Sequence, residues 1–262
     1  MTDELVLAKE AGVATITLNR PEMLNSLSLE MSQRMMRMLE QLNEDDEVKV
    51  LVITGAGRAF CSGVDISGTI IPEETMRTVR LDPFPWITRL FLRLYEMDKP
   101  TIAAINGIIT GSGFGLALSC DIRIAAENAS FSLIFVKRGL ISGCGATFLL
   151  PRVVGLSKAL ELMWTGDRFD AEEAQRIGLV SRVVPQDELM KVTMELAGRI
   201  ARGPSIAIEL TKRAVHKGLE TDDFATHLVY EGWAQLRCLE TEDGKEGIKA
   251  FMEKREPIFK GK

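Results

Sequence analysis

INGIITGSGFGLALSCDIRIA, residues 105–125, decides the reading of the fold. The run at residues 101–105 (TIAAI) has the uncharged, partly β-branched character of a buried strand. It enters a glycine-rich turn over residues 107–115, after which GLALSC begins a helix and residues 121–126 (DIRIAA) a further strand. Strand, glycine turn and helix in succession describe an α/β protein.

Working outward, a strand at residues 48–54 (VKVLVIT) runs into another glycine-punctuated segment, GAGRAFCSGVDI at 55–66. Upstream, residues 5–9 and 13–18 form a hairpin around Ala11-Gly12, and Ser28 caps a helix on which Leu29, Met31, Met35, Met38, Leu39 and Leu42 recur at helical spacing. Those methionines are expected in the core. Residues 67–98 are less regular, with Pro72, Pro83 and Pro85 interrupting helix-like stretches, and this is where a mobile cover over a site would fit. From Ala171 the pattern is mostly helical, broken by a strand at 179–184 and Pro185, and residues 204–259 carry helix signals with almost no strand.

The composition excludes several classes of function. A net charge of −5 with the two signs mixed gives no basic stripe for a phosphate backbone, so no nucleic-acid partner is expected. No segment reaches the eighteen or so apolar residues of a membrane span. The N-terminal MTDELVLAKEAG lacks the basic and apolar regions of a secretory signal, and the four scattered cysteines form no close pair for a zinc knuckle or redox dithiol. A cytoplasmic setting is the expectation.

Taken together, TLNRPEMLNSL (17–27), AFCSGVDI (59–66), the 105–125 stretch, FVKRGL (135–140), LLPRVVG (149–155) and the C-terminal FMEKREPIFKGK (251–262) resemble the crotonase, or enoyl-CoA hydratase/isomerase, superfamily across nearly the whole chain. GSGFG alone would read as turn chemistry; the ordered set carries the resemblance. It implies a crotonase-like spiral of repeated ββα units over residues 1–200 and a C-terminal helical oligomerisation region over 201–262. A homotrimer or homohexamer is expected.

The resemblance also implies a site. Two backbone N–H groups, of Val64 after Gly63 and of Ser112 between Gly111 and Gly113, would donate to a thioester oxygen as negative charge develops on it. Met23 and Leu24 would line the pantetheine path, and Ser62, Asp65 and Ile66 the loop against the adenine, with Gly111 and Phe135 also facing the ligand. Lys260 and Lys262 would approach phosphates, often from a neighbouring subunit. Coenzyme A would enter as part of the substrate, so no separate cofactor or metal is expected.

The family's acid and base positions fall on Gly115, Phe135 and, in isomerase-like relatives, Gly143, none of which can carry a proton. Cys144 has no evident base and reads as an unlikely nucleophile; Glu73, Glu74 and Asp82 are the acids in reach of a covering segment. His216 and His227 read as surface or interface residues, and Asp121 as structural. Two functions stay open: an acyl-CoA enzyme of hydratase/isomerase type with an unconventional proton carrier, or a non-catalytic acyl-CoA carrier. A purely structural assembly role would leave the glycine motifs unexplained.

Overall fold

A computed structural model describes residues 3–65 and 86–262. In chain order the strands are β1 (Leu5–Glu10), β2 (Val13–Leu18), β3 (Val50–Gly55), β4 (Ala59–Cys61), β5 (Thr101–Ile105), β6 (Ile108–Thr110), β7 (Ile122–Ala126), β8 (Ser130–Ser132), β9 (Phe169–Asp170) and β10 (Arg182–Val184). The helices are α1 (Leu29–Glu44), α2 (Trp86–Tyr95), α3 (Ser112–Leu118), α4 (Ala146–Val154), α5 (Leu156–Thr165), α6 (Ala171–Arg176), α7 (Leu189–Ala201), α8 (Ser205–Glu220), α9 (Phe224–Glu240) and α10 (Glu242–Glu253).

The ten strands of the described residues form two sheets, one of order β1-β2-β3-β5-β7-β10 and one of order β4-β6-β8-β9. The chain alternates between them: β3, β5 and β7 lie side by side in the first sheet, and the strand after each, β4, β6 and β8, lies in the second. Apart from the β1–β2 hairpin, the first sheet is parallel. Repeated strand pairs separated by helices are the spiral of ββα units that the family resemblance implies.

Strand residues sort by parity, as a two-sided sheet requires. Leu51 and Ile53 of β3 enter the main core with the methionines of α1, whereas Val50 and Val52 face Leu189 and Ala197 of α7 across the other side. Ser28 caps α1 by accepting from the Met31 N–H at 3.0 Å, and Met31, Met35, Met38, Leu39 and Leu42 are buried. Leu29 is half exposed, so the helical stripe begins at Met31.

Three boundaries differ from the sequence reading. A helix, α2, occupies the end of the irregular 67–98 stretch; it is held by Leu90, Phe91 and Leu94, whose spacing the nearby prolines obscured. The turn at 107–115 contains β6, and α3 starts at Ser112, ahead of GLALSC. The strand at 179–184 shrinks to β10, because Leu179 and Val180 are buried in the turn that closes α6 rather than paired in the sheet.

The C-terminal helices dock through charged groups. Asp121 accepts from the Thr101 N–H at 2.7 Å and hydroxyl at 2.9 Å, pairs with Lys212 of α8 at 2.8 Å, and faces His216, whose ring stacks on Tyr95 at 4.5 Å. Burial pushes the Asp121 carboxyl up, but the His216 ring and the Lys212 ammonium outweigh it and hold it below its ordinary value. A depressed carboxyl stabilises the fold above its unfolded pKa and loses that contribution as pH falls through the folded one. Asp121→Asn is therefore expected to lower stability by about 3 kcal/mol at pH 7, leaving Lys212 unpaired. Urea midpoints measure this, and the gap from the native protein should close below pH 3.8.

Candidate functional site

Two short segments meet at the end of the second sheet. Residues 61–65 follow β4, and Gly111-Ser112 opens α3 after β6; β4 and β6 are parallel neighbours, so the two exits lie side by side. A bridge pairs Val64 with Leu27: the Leu27 N–H donates to the Gly63 carbonyl at 2.8 Å and the Asp65 N–H to the Leu27 carbonyl at 3.0 Å. In such a parallel bridge the peptide groups flanking Val64 turn toward Leu27, so the Val64 N–H itself faces the other way.

Glycines set both donors. Gly63 (φ +107°) and Gly111 (φ +53°) each precede a candidate donor in a conformation that favours glycine. A Cβ on Gly63 would stand 3.1 Å from the Ser112 nitrogen, so the two segments approach closely only because that atom is missing. Ser112 is the first residue of α3, where N–H groups have no intrahelical acceptor. Among the described residues neither the Val64 nor the Ser112 N–H has a hydrogen-bond acceptor. Two main-chain donors, one from each segment, are thus left unsatisfied among the described residues.

The surrounding loop is tied down by residues of the 17–27 motif. Asn25 is fully buried and donates to the Ala56 and Ala59 carbonyls at 2.9 and 2.7 Å; Asn106 donates to those of Gly57 and Ala59 at 2.9 and 3.2 Å. Arg20 bonds the Asp65 carboxylate at 3.0 Å and the Ser26 carbonyl at 2.9 Å. Asp65 thus orders its loop. The Ser62 N–H donates to the Leu24 carbonyl at 3.0 Å and its own carbonyl accepts from the Thr110 hydroxyl at 2.8 Å, so Met23, Leu24 and Ser62 come together beside the donors. Arg20, Asn25 and Asn106 were missed as site-builders, although each stands within a quoted motif.

The positions lacking acids separate into different kinds. A Cβ on Gly115 would lie 2.4 Å from the Cys144 carbonyl oxygen and 2.5 Å from its Cβ, so the space is filled by Cys144. Around Gly143 nothing among the described residues lies within 4 Å of such a Cβ. Phe135 is half-buried in the turn Ile134–Arg138, whose Ile134 side chain reaches 3.9 Å from a Cβ built on Gly111. Burial pushes the Cys144 thiol up, partly offset by the Ser112 hydroxyl, and pushes Cys61 up to about 12. Beyond Gly145 an apolar cavity of about 280 Å³ is lined by Phe91, Leu92, Tyr95, Phe148 and Leu149.

Other candidates lie elsewhere. Ile66, Glu73, Glu74 and Asp82 fall outside the described residues. His216 sits in the α8 seam, and His227 pairs with Glu231 on α9. The C-terminal tail is folded onto its own chain, with the Lys260 and Gly261 N–H groups donating to Asp243 at 2.7 and 2.8 Å. Gly261 packs beside Ser205 and Lys49, at the end of β3 opposite the one that leads to residues 61–65.

Comparison with known proteins agrees with this architecture. Residues 8–262 match the profile of a family described as enoyl-CoA hydratase/isomerase. The short-chain-enoyl-CoA hydratase of Clostridium acetobutylicum is 39% identical over 255 residues, 97% of this chain and 96% of the relative. The 1,2-epoxyphenylacetyl-CoA isomerase of Escherichia coli is 39% identical over 254 residues, 97% of each chain. Among solved structures, an enoyl-CoA hydratase from Bacillus anthracis superposes with a TM-score of 0.92 at 38% identity, covering 99% of this chain and 100% of the other.

Proposed function

The chain belongs to the enoyl-CoA hydratase/isomerase family, the crotonase superfamily, and from that membership we propose that the Val64 and Ser112 N–H groups receive the thioester oxygen of an acyl-CoA. The observation that carries this reading is the pairing of those two unsatisfied donors across Gly63. Preorganised main-chain donors stabilise an enolate oxygen more than a neutral carbonyl, because their attraction grows with the charge on it. Met23, Leu24 and Ser62 then line the entry for the coenzyme A arm, with Asp65 holding the loop in place.

Proton transfer is where this chain departs from an ordinary hydratase. Hydration needs a group to activate water and a group to protonate the α-carbon, and neither Gly115 nor Phe135 supplies one. The reading best supported is an acyl-CoA protein that stabilises an enolate and is a poor hydratase, with chemistry nearer isomerisation. A carrier that binds acyl-CoA without turnover is the second reading, favoured by the same missing acids. Calorimetric titration with butyryl-CoA tests what both share: micromolar or tighter binding supports the site, and no detectable binding overturns it.

An oligomer completes the proposal, in a cytoplasmic setting, with no cofactor beyond the substrate's own coenzyme A. Phe224, Leu228, Trp233 and Leu236 of α9 stay exposed by 46–72% in the single chain, and Ala234 is the buried residue of that helix. An apolar face of this size calls for a second copy. Light scattering at micromolar concentration is expected to give a trimer or hexamer mass; a strictly monomeric mass would defeat that part.

A further inference from the structure

Resting on the reading that the site holds an acyl-CoA thioester, we propose that Cys144 is the residue that carries the substrate's α-proton. Its backbone and Cβ fill the space facing Gly115, the position at which the family resemblance sets a carboxylate. Gly115 stands one turn after Ser112 on α3, so Cys144 packs against the face of the helix whose first residue carries one of the two candidate donors. Its Cβ is thus placed beside the turn of α3 that opens on the candidate site.

The backbone supports the same assignment. Cys144 adopts φ +58° between Gly143 and Gly145, a conformation that costs a non-glycine residue energy and is retained where the surroundings require it. Cys144 remains half-buried, whereas Cys61 and Cys120 are fully enclosed, so of these three it is the thiol a ligand can reach. The carboxylate of the 61–65 segment, Asp65, is bonded to Arg20.

The proton balance is simple. With a 3-enoyl-CoA bound, the Cys144 thiolate takes a proton from C2: an S–H bond forms, the C2–H bond breaks, and the electron pair passes to the dienolate whose oxygen lies between the two N–H donors. Return of the proton to C4 gives the 2-enoyl isomer, and return to C2 regenerates substrate. The thiolate is restored in each case, with no oxidant or further reactant. Burial pushes this thiol up and no cation stands beside it among the described residues, so it is only fractionally ionised near neutrality and the rate should rise about tenfold per pH unit.

The test follows deuterium entry at C2 of trans-3-hexenoyl-CoA by mass spectrometry in D2O, from pH 6.5 to 8.5, alongside calorimetric affinity for butyryl-CoA. The native protein is expected to exchange with the tenfold-per-unit slope. Cys144→Ala and Cys144→Ser should each lose at least about 10²-fold in exchange and keep affinity within about threefold. Native-rate exchange by either folded variant, or binding without exchange by the native protein, would overturn the assignment of Cys144 and leave the acyl-CoA site standing. Absence of binding by the native protein would overturn both. Should both variants misfold, iodoacetamide labelling of native Cys144 decides: blocking by butyryl-CoA with parallel loss of exchange supports the role, and full exchange by the alkylated protein overturns it.

Discussion

Crotonyl-CoA is expected to be hydrated at least about 10²–10⁴-fold more slowly than by an ordinary hydratase, the loss that follows removal of one acting acid or base. Two family positions for those groups are occupied by Gly115 and Phe135, and the effects of paired groups do not simply multiply. Decay of the enoyl absorbance measures it. Turnover comparable to an ordinary hydratase would sink the argument and direct attention to Glu73, Glu74 or Asp82.

The structure sharpens this expectation by separating the two glycines. Gly115→Glu should fail to restore hydration and should destabilise the fold, since its Cβ would stand 2.4 Å from the Cys144 carbonyl oxygen, a backbone atom that cannot step aside alone. Gly143→Asp meets no atom of the described residues within 4 Å, at a position without positive φ, so the protein is expected to fold normally. A carboxylate there should raise isomerisation of trans-3-hexenoyl-CoA by about tenfold or more, because it ionises fully at pH 7 where a thiol does not.

The second large effect is expected at Gly63. Gly63→Ala places a Cβ 3.1 Å from the Ser112 nitrogen and forces φ +107° on a residue with a side chain, which costs about 1–3 kcal/mol before any rearrangement. The segments would part and the donors lose their common focus, with an expected fall in acyl-CoA affinity or turnover of about 10²-fold, the scale of losing one donor. Ser112→Ala is the control: it preserves the main-chain N–H and should keep acyl-CoA affinity within about threefold. Circular dichroism establishes that both variants are folded. Equal, severe loss of affinity in a folded Ser112→Ala would mean that the hydroxyl, rather than the N–H, holds the ligand.

Much of the frame was legible because it depends on local pattern. The β1–β2 hairpin, the Ser28 cap, the methionine stripe of α1 and the helical C-terminal stretch follow from period, capping and turn residues, which act over a few positions. Residues 59–66 and 105–125 pointed to the same two glycine-led segments that the parallel β4–β6 pair sets side by side. The helix at 86–95 was hidden by the prolines before it, since its identity rests on Leu90, Phe91 and Leu94 reaching the core rather than on its borders.

By itself, then, the sequence determined the alternating strand-and-helix order, the glycines that precede each donor, and the lack of an acid at 115, 135 and 143, because residue identity and short-range spacing suffice for these. Only the tertiary structure decided that Gly115 is filled by Cys144 while Gly143 has no described atom beside it, and that Asn25 and Asn106 converge on the Ala59 carbonyl. The physical reason is that each of these is a distance between segments far apart in the chain, fixed by how the two sheets and α3 pack together.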